Sequence, residues 1–150
     1  MTGRPDRPES ESDARTERAL VHAEALERAR AAESRAARAL IADFIRAARD
    51  AGIAPVPLKA RGYGGRGRFR TDTEGWYLRR DLSLAVGTDG NFYILTVPAG
   101  VGARLRGVTL VPSDPPLQLG RGARDGESVA LDVALRRRLE AGDDYPSAGA

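Results

Sequence analysis

Residues 76–97 read WYLRRDLSLAVGTDGNFYILTV, and the hydrophobic period of about two in this stretch is typical of β-strands. Three short strands are predicted here, in WYLRR (76–80), SLAV (83–86) and FYILTV (92–97). Residues 87–90 are predicted to form a tight hairpin, because Asp-Gly readily adopts the left-handed conformations that such turns need. Asp81 is expected to form the turn of the preceding hairpin, between the strands at 76–80 and 83–86. The stretch therefore predicts antiparallel strands joined by short turns.

Further strands are predicted on both sides of this stretch. They lie in RFR from Arg68, in RLRGVTLV (104–111) and in a short edge strand at 117–119. The stretch PVPLKARGYGGRGRFR (55–70) is predicted to be a linker that leads into the strands, because it combines two prolines with four glycines between Gly62 and Gly67. In total, four to six short strands are expected.

One long helix is predicted before the strands. From Glu11 to Arg49 there is no proline or glycine, and alanine, glutamate and arginine, which favour helix, dominate. Ser10 with Asp13 three residues later fits a capping box, and Gly52 followed by Ile53 fits a Schellman stop.

The two halves of this helix differ in their apolar surface. The second half has a broad apolar face that predicts packing onto the rest of the domain, formed by Leu40, Ile41, Phe44, Ile45 and Ala48. The first half has mainly a thin alanine stripe, and a strict heptad fails at Arg30 and Glu33. We therefore expect residues 1–36 to be a solvated helical extension with a disordered N-terminus, available for self-association or for a protein partner.

A second helix is predicted near the C-terminus. Ser128 can cap it, Gly142 can end it, and its apolar face is expected to contain Leu131, Val133 or Ala134, Leu135 and Leu139. Residues 37–140 then form a single α+β domain and residues 141–150 a disordered tail. The predicted fold class is α+β, with a long N-terminal helix, an antiparallel sheet of four to six short strands and a C-terminal helix.

Composition excludes several kinds of site. The chain of 150 residues has no cysteine and one histidine, which rules out disulfides, thiolate metal sites and multi-histidine metal sites. The acids Asp72, Glu74, Asp81 and Asp89 lie near predicted strand ends and could meet in the fold as a carboxylate pair for acid–base catalysis or Mg²⁺ binding, but turn chemistry better explains Asp81 and Asp89. We therefore expect a non-enzymatic protein without a cofactor or metal. The beginning of the sequence lacks a secretory pattern and no segment is apolar enough to span a membrane, so a cytoplasmic protein is expected.

Positive charge is concentrated in one segment. Residues 59–80 carry 7 basic and 2 acidic groups, which exceeds the net charge of +3 for the whole chain. Within it, RGYGGRGRFR (61–70) is similar to the arginine- and glycine-rich elements of RNA-binding proteins, in which arginines contact phosphates. The candidate residues for binding an anion or a nucleic acid are Arg61, Tyr63, Arg66, Arg68, Arg70, Tyr77, Arg79 and Arg80.

Other interpretations of this segment remain open. It could be a solvated glycine-rich loop in an arginine-rich chain, or it could bind a small anion or an acidic protein. Tyr77 and Arg79 are expected to face outward if Trp76 and Leu78 face the core, although such aromatic residues more often serve core and cross-strand packing. The sequence thus predicts a binding or protein-interaction module, with RNA or single-stranded DNA binding as the alternative.

Two stretches, GWYLRRDLSLAVGTDGNFYILTVP (75–98) and LVPSDPPLQLGRGARDGES (110–128), resemble small uncharacterised proteins of high-GC Gram-positive bacteria. The excess of arginine over lysine, 23 to 1, agrees with the codon usage of such genomes. The resemblance implies no activity, cofactor or catalytic residue.

Overall fold

The computed structural model describes residues 7–64, 67–98, 106–120 and 127–148, and it confirms the predicted α+β class. Its elements are helix α1 (Arg7–Asp50), strands β1 (Val56–Gly62), β2 (Arg68–Tyr77), β3 (Leu84–Gly87), β4 (Phe92–Ile94), β5 (Thr96–Val97), β6 (Gln118–Leu119) and β7 (Val129–Ala130), and helix α2 (Leu131–Ala141). Neither helix, over the ranges described, has an apolar run that could cross a membrane.

The chain divides into two compact units between Glu33 and Ser34. In the first unit the side chains of α1 from Glu9 onward are almost all exposed, including Leu20, Val21 and Leu26. Helix α1 begins at Arg7, so the expected capping box at Ser10 lies inside the helix. The predicted disordered N-terminus falls on residues 1–6, which lie outside the described residues.

The second half of α1 packs as predicted. Ile41, Phe44 and Ala48 are buried, as is Ala37 one turn earlier. The helix ends at the predicted stop, where the N–H of Gly52 donates to the carbonyl of Arg49 at 3.1 Å and Gly52 has a φ of +71°. Ile53, whose N–H donates to the carbonyl of Ala48 at 2.9 Å, is buried beside it. The two hydrogen bonds and the buried side chain of Ile53 together form a Schellman motif.

The predicted linker is wrong for residues 56–62, which form strand β1. Leu58 and Ala60 are buried and alternate with more exposed neighbours, so this segment has the period of two that its prolines obscured. Pro57 is tolerated because the register with β2 shifts between Pro57 and Lys59. The glycine-rich residues that follow β1 therefore connect the two strands of a hairpin.

The five-stranded sheet has the order β4-β3-β2-β1-β5 and closes on itself at Leu95. The two edge strands, β4 and β5, are separated in the chain only by Leu95. Its N–H donates to the carbonyl of Ser83 at 2.8 Å, and its carbonyl accepts the N–H of Arg61 at 2.6 Å. Because β5 pairs with β1 in parallel, the sheet is mixed rather than wholly antiparallel as expected.

Side chains alternate between the two faces of this curled sheet and build two cores. Trp76, Val86 and Phe92 pack with α1 and α2 on the outer face. The inner face buries a second cluster, formed by Leu58, Ala60, Tyr77, Leu82, Ala85, Tyr93, Leu95 and Leu110. The sheet therefore has helices on one face and its own closed interior on the other.

The strand expected at 104–111 is not present in its described part, residues 106–111. Val108 makes only an isolated parallel bridge with Thr71, and Ser113 bridges Phe92. The chain from Val108 to Ser113 therefore crosses from β2 to β4 and pairs with each strand at a single position. The short strand expected near 117–119 is present as β6, which pairs with β7.

Helix α2 begins at Leu131 rather than at a Ser128 cap. Residues 129–130 pair with β6, so helical geometry cannot begin earlier, and the hydroxyl of Ser128 instead accepts a hydrogen bond from Gln118 at 2.6 Å. Leu131, Ala134 and Leu135 are buried as predicted.

The C-terminal segment differs from the expected disordered tail. Helix α2 continues to Ala141, and Tyr145 and Ala148 pack against the inner core of the sheet. Residues 141–148 are therefore part of the packed domain.

Candidate functional site

The β1–β2 hairpin places four basic side chains on one face. Lys59 lies directly opposite Arg70, and Arg61 lies directly opposite Arg68. Opposite residues of an antiparallel pair share a face, and so do residues two apart along a strand. Ala60 and Phe69, paired between them, are buried on the other face. We call the surface formed by Lys59, Arg61, Arg68 and Arg70 the basic hairpin face.

This arrangement opposes stability, because like charges directly opposite each other in a sheet repel. Arg68 and Arg70 are exposed, and no acid among the described residues forms an ion pair with either of them. Nη2 of Arg61 lies 3.4 Å from the carbonyl oxygen of Asp81, and Nζ of Lys59 donates to the carbonyl of Ala148 at 3.5 Å. The basic hairpin face therefore retains uncompensated positive charge at Arg68 and Arg70.

Tyr63 lies beside this charge, at the start of the loop that connects β1 to β2. Its side chain is 70% exposed, the highest value among the tyrosines of the described segments. Gly64 and Gly67 have φ values of +89° and +76°, a backbone conformation that other residues rarely adopt. The glycines thus let the loop turn while an aromatic ring stays open to solvent.

Arg79 and Arg80 lie beyond the other end of β2, at the turn that contains Asp81. Nε of Arg79 is 3.7 Å from a carboxylate oxygen of Asp81. Arg61 also contacts Asp81, through its backbone carbonyl. Burial acts to raise the pKa of Asp81, but hydrogen bonds from Ser83 and the nearby Arg79 and Arg61 outweigh it and lower the pKa. Asp81 therefore stays ionised and neutralises part of the positive charge between Arg61 and Arg79.

Tyr77 does not belong to this surface, and its expected outward orientation is wrong. Its side chain is 1% exposed and lies in the inner core, where its hydroxyl accepts a hydrogen bond from the N–H of Lys59 at 3.0 Å. Burial raises the pKa of Tyr77. Helices cover the face on which Trp76 lies, and the curled sheet covers the opposite face, so both aromatic residues are internal.

Two further differences concern the membership of the site. Arg66, a predicted binding residue, lies outside the described residues. Lys59 belongs to the basic hairpin face although the linker prediction passed over it. The signal was available in the alternation of Leu58 and Ala60 with Lys59 and Arg61, which has the period of a strand with one charged side.

Three of the four acids considered for catalysis accept structural hydrogen bonds from backbone N–H groups. A carboxylate oxygen of Asp81 accepts the N–H of Ser83 at 3.0 Å, and one of Asp89 accepts the N–H of Asn91 at 2.9 Å. These contacts confirm the turn chemistry predicted for both. Asp72 accepts the N–H of Leu110 at 3.2 Å. Within the described segments, no three His, Cys, Asp or Glu side chains are grouped so that they could hold a metal ion.

Comparisons with protein-family models, with curated proteins and with solved structures found no match to this chain.

Proposed function

We propose that this chain is a non-enzymatic binding module that holds single-stranded nucleic acid on the basic hairpin face. The observation that supports this proposal is the two facing pairs of cations, Lys59 with Arg70 and Arg61 with Arg68, on one side of the hairpin. Such repulsion costs stability in the free protein and is relieved when a polyanion lies across the face.

The spacing of the cations favours a polymer over a single small anion. Successive basic positions on one strand are two residues apart, which is about 6.6 Å at ~3.3 Å per residue. One phosphate can contact one facing pair, whereas a chain of phosphates can contact both. The exposed ring of Tyr63 adds a surface on which a base can stack, and single-stranded nucleic acids have unpaired bases to offer.

The salt dependence of binding tests this proposal. Fluorescence anisotropy with labelled single-stranded RNA, single-stranded DNA and a duplex should show binding to the single strands that weakens between about 50 and 200 mM salt. Contact with all four cations predicts a slope of log K against log salt of roughly −3, from about −0.7 per phosphate contact. The double variant Arg68→Gln/Arg70→Gln should bring the slope to roughly −1.4.

A matched control separates a local site from general attraction. Arg49→Gln/Arg136→Gln removes the same charge from exposed positions on α1 and α2. It should leave the slope nearly unchanged. Equal losses for both double variants, or no binding at the lowest salt, would overturn the proposal, and tighter binding to the duplex would contradict the single-stranded preference.

Tyr63 tests the stacking contribution separately from charge. Tyr63→Ala should weaken binding by about tenfold, because stacking of one base contributes about 1–3 kcal/mol. The salt slope should stay the same, since no phosphate contact is lost. Tyr63→Phe keeps the ring and should bind like the wild type. Equal binding by the alanine variant would remove Tyr63 from the interface.

A second candidate function is self-association through the first half of α1. Residues 9–17 contain four acids and one arginine, whereas residues 28–38 contain four arginines and one glutamate. An antiparallel second copy would place these oppositely charged segments side by side, with the exposed Leu20, Val21 and Leu26 near the centre. Sedimentation velocity should detect a dimer that Leu20→Asp/Leu26→Asp abolishes and Val111→Asp does not. A monomeric wild type would exclude this candidate.

A further inference from the structure

A cavity of about 550 Å³ lies between the end of β2, the β6–β7 ribbon and α2. Its floor is apolar and includes Leu78, Leu119 and Ala134, all of which are buried. Its size is within the range of about 300–1,000 Å³ typical of small-molecule sites. This cavity is separate from the basic hairpin face.

Three arginines, Arg79, Arg80 and Arg137, line this cavity together with Tyr145. Nη1 of Arg79 extends toward the end of β6, since a Cβ built on Gly120 would lie 3.5 Å from it. Glu127 and Glu140 also line the cavity.

The three consecutive arginines at 136–138 have different environments, and one of them contributes its charge to the cavity. Arg136 faces away and pairs with Asp132 at 3.6 Å. Arg138 is 5% exposed, and its Nη1 donates to the carbonyl of Gly142 at 2.6 Å. Only Arg137 of the three lines the cavity. Successive residues of a helix point about 100° apart, so each arginine has a different environment.

Tyr145, which lies in the C-terminal segment, forms one wall of the cavity. Its ring lies 4.3 Å from Cζ of Arg138 and 5.7 Å from Cζ of Arg80, measured to the ring centroid. Such cation–π contacts hold a ring in place at a partly buried site. The aromatic wall and the apolar floor therefore provide a surface suited to a flat apolar group.

We propose that this cavity binds a small monoanion with a flat apolar body, such as an aromatic carboxylate. Arg137 and Arg79 would bind the carboxylate, because a guanidinium matches a carboxylate with two parallel hydrogen bonds. The apolar body would lie on Leu78, Leu119 and Ala134, beside the ring of Tyr145.

Isothermal titration calorimetry of the full chain with naphthoate tests this assignment. The neutral naphthamide has nearly the same shape, and inorganic phosphate has the charge without the apolar body. Naphthoate should bind at least about tenfold more tightly than either, because charged hydrogen bonds and apolar burial both contribute. Arg137→Gln should weaken naphthoate binding by about tenfold, and the adjacent control Arg136→Gln should not change it.

Other outcomes would overturn the assignment. Equal affinity for naphthoate and naphthamide would show that the arginines do not select an anion, and equal affinity for phosphate would show that the apolar floor does not contribute. An absence of naphthoate binding would exclude the ligand class. The double variant Arg68→Gln/Arg70→Gln should bind naphthoate like the wild type, so this result and the nucleic-acid result are independent.

Discussion

Arg61 and Arg68 face each other across the β1–β2 hairpin, at the position where the two strands leave their connecting loop. The next facing pair toward the middle of the strands, Lys59 and Arg70, also has two positive charges. In a sheet selected only for stability, an acid on one strand would lie opposite a base on the other, since such pairs contribute about 0.2–1 kcal/mol. Both facing pairs of the hairpin therefore oppose stability, and both lie on the proposed binding surface.

Reversing one of these charges should stabilise the protein and impair its binding. Arg68→Glu places a carboxylate opposite Arg61, so we expect the free energy of unfolding to rise by about 0.5–1 kcal/mol. Affinity for single-stranded nucleic acid should fall more than in Arg68→Gln, because the new charge repels phosphate. Urea unfolding and anisotropy measure the two effects on the same sample.

Arg136→Glu is the matched control for this reversal. It makes the same change in net charge, but it places a carboxylate four residues after Asp132 on α2 and should lower stability slightly. A loss of stability in Arg68→Glu as well would show that the facing arginines do not repel each other measurably.

Two paired glycines, Gly75 and Gly87, allow β2 and β3 to approach each other closely. Gly75 is paired with Gly87, and a Cβ on Gly75 would overlap the backbone carbonyl oxygen of Val86. Backbone cannot yield as a flexible side chain does, so Gly75→Ala should destabilise the domain by about 2–4 kcal/mol. Glu74→Ala, at the adjacent exposed position, should have little effect. Thermal unfolding of the two variants distinguishes a backbone clash from a general loss of strand stability.

Local sequence signals predicted the elements whose partners are close in the chain. The stop at Gly52 and the turns at Asp81 and Asp89 follow from contacts within a few residues, and each is present with the expected hydrogen bonds. The apolar face containing Phe44 also follows from helical spacing alone. These features need no knowledge of the rest of the fold.

Features that depend on distant partners were not predictable in the same way. Tyr77 has the alternation expected of a residue on the opposite side of the strand from Trp76, but the closure of the sheet at Leu95 turns that side into a second core. In this closure the backbone of Leu95 is hydrogen-bonded to both Ser83 and Arg61, and no local sequence pattern predicts these two contacts. The basic hairpin face was only partly predicted, because recognising Lys59 as a member required β1 to be recognised as a strand.

The single tryptophan reports on the second unit of the chain. Nε1 of Trp76 donates to the carbonyl of Ile53 at 3.0 Å, and its ring meets that of Phe44 edge to face at 5.8 Å between centroids. A chain beginning at Ser34 should therefore keep the emission of a buried tryptophan and lose no more than about 1 kcal/mol, the size of a capping contribution. Phe44→Ala should cost about 3–5 kcal/mol. Unfolding of the shortened chain would contradict the division at Ser34.

The turn at Asp89 should contribute a pH-dependent part of the stability. Burial favours the neutral acid, but hydrogen bonds from the hydroxyl of Tyr93 and from Asn91 outweigh it and lower the pKa of Asp89 below its ordinary value of 3.8. A carboxyl whose pKa falls on folding stabilises the folded state above the pKa of the unfolded chain, and this stabilisation is lost as the pH falls through the folded pKa.

Asp89→Asn should therefore lower the Tm near neutral pH, and its difference from the wild type should shrink as the pH falls below about 4. Tyr93→Phe removes the donating hydroxyl while keeping the ring, so the pKa of Asp89 should rise toward its ordinary value and the pH dependence should weaken. Calorimetry of the three proteins from neutral to acidic pH measures both effects. A Tm difference that stays constant over this range would show that the variants act through packing and not through the charge of Asp89.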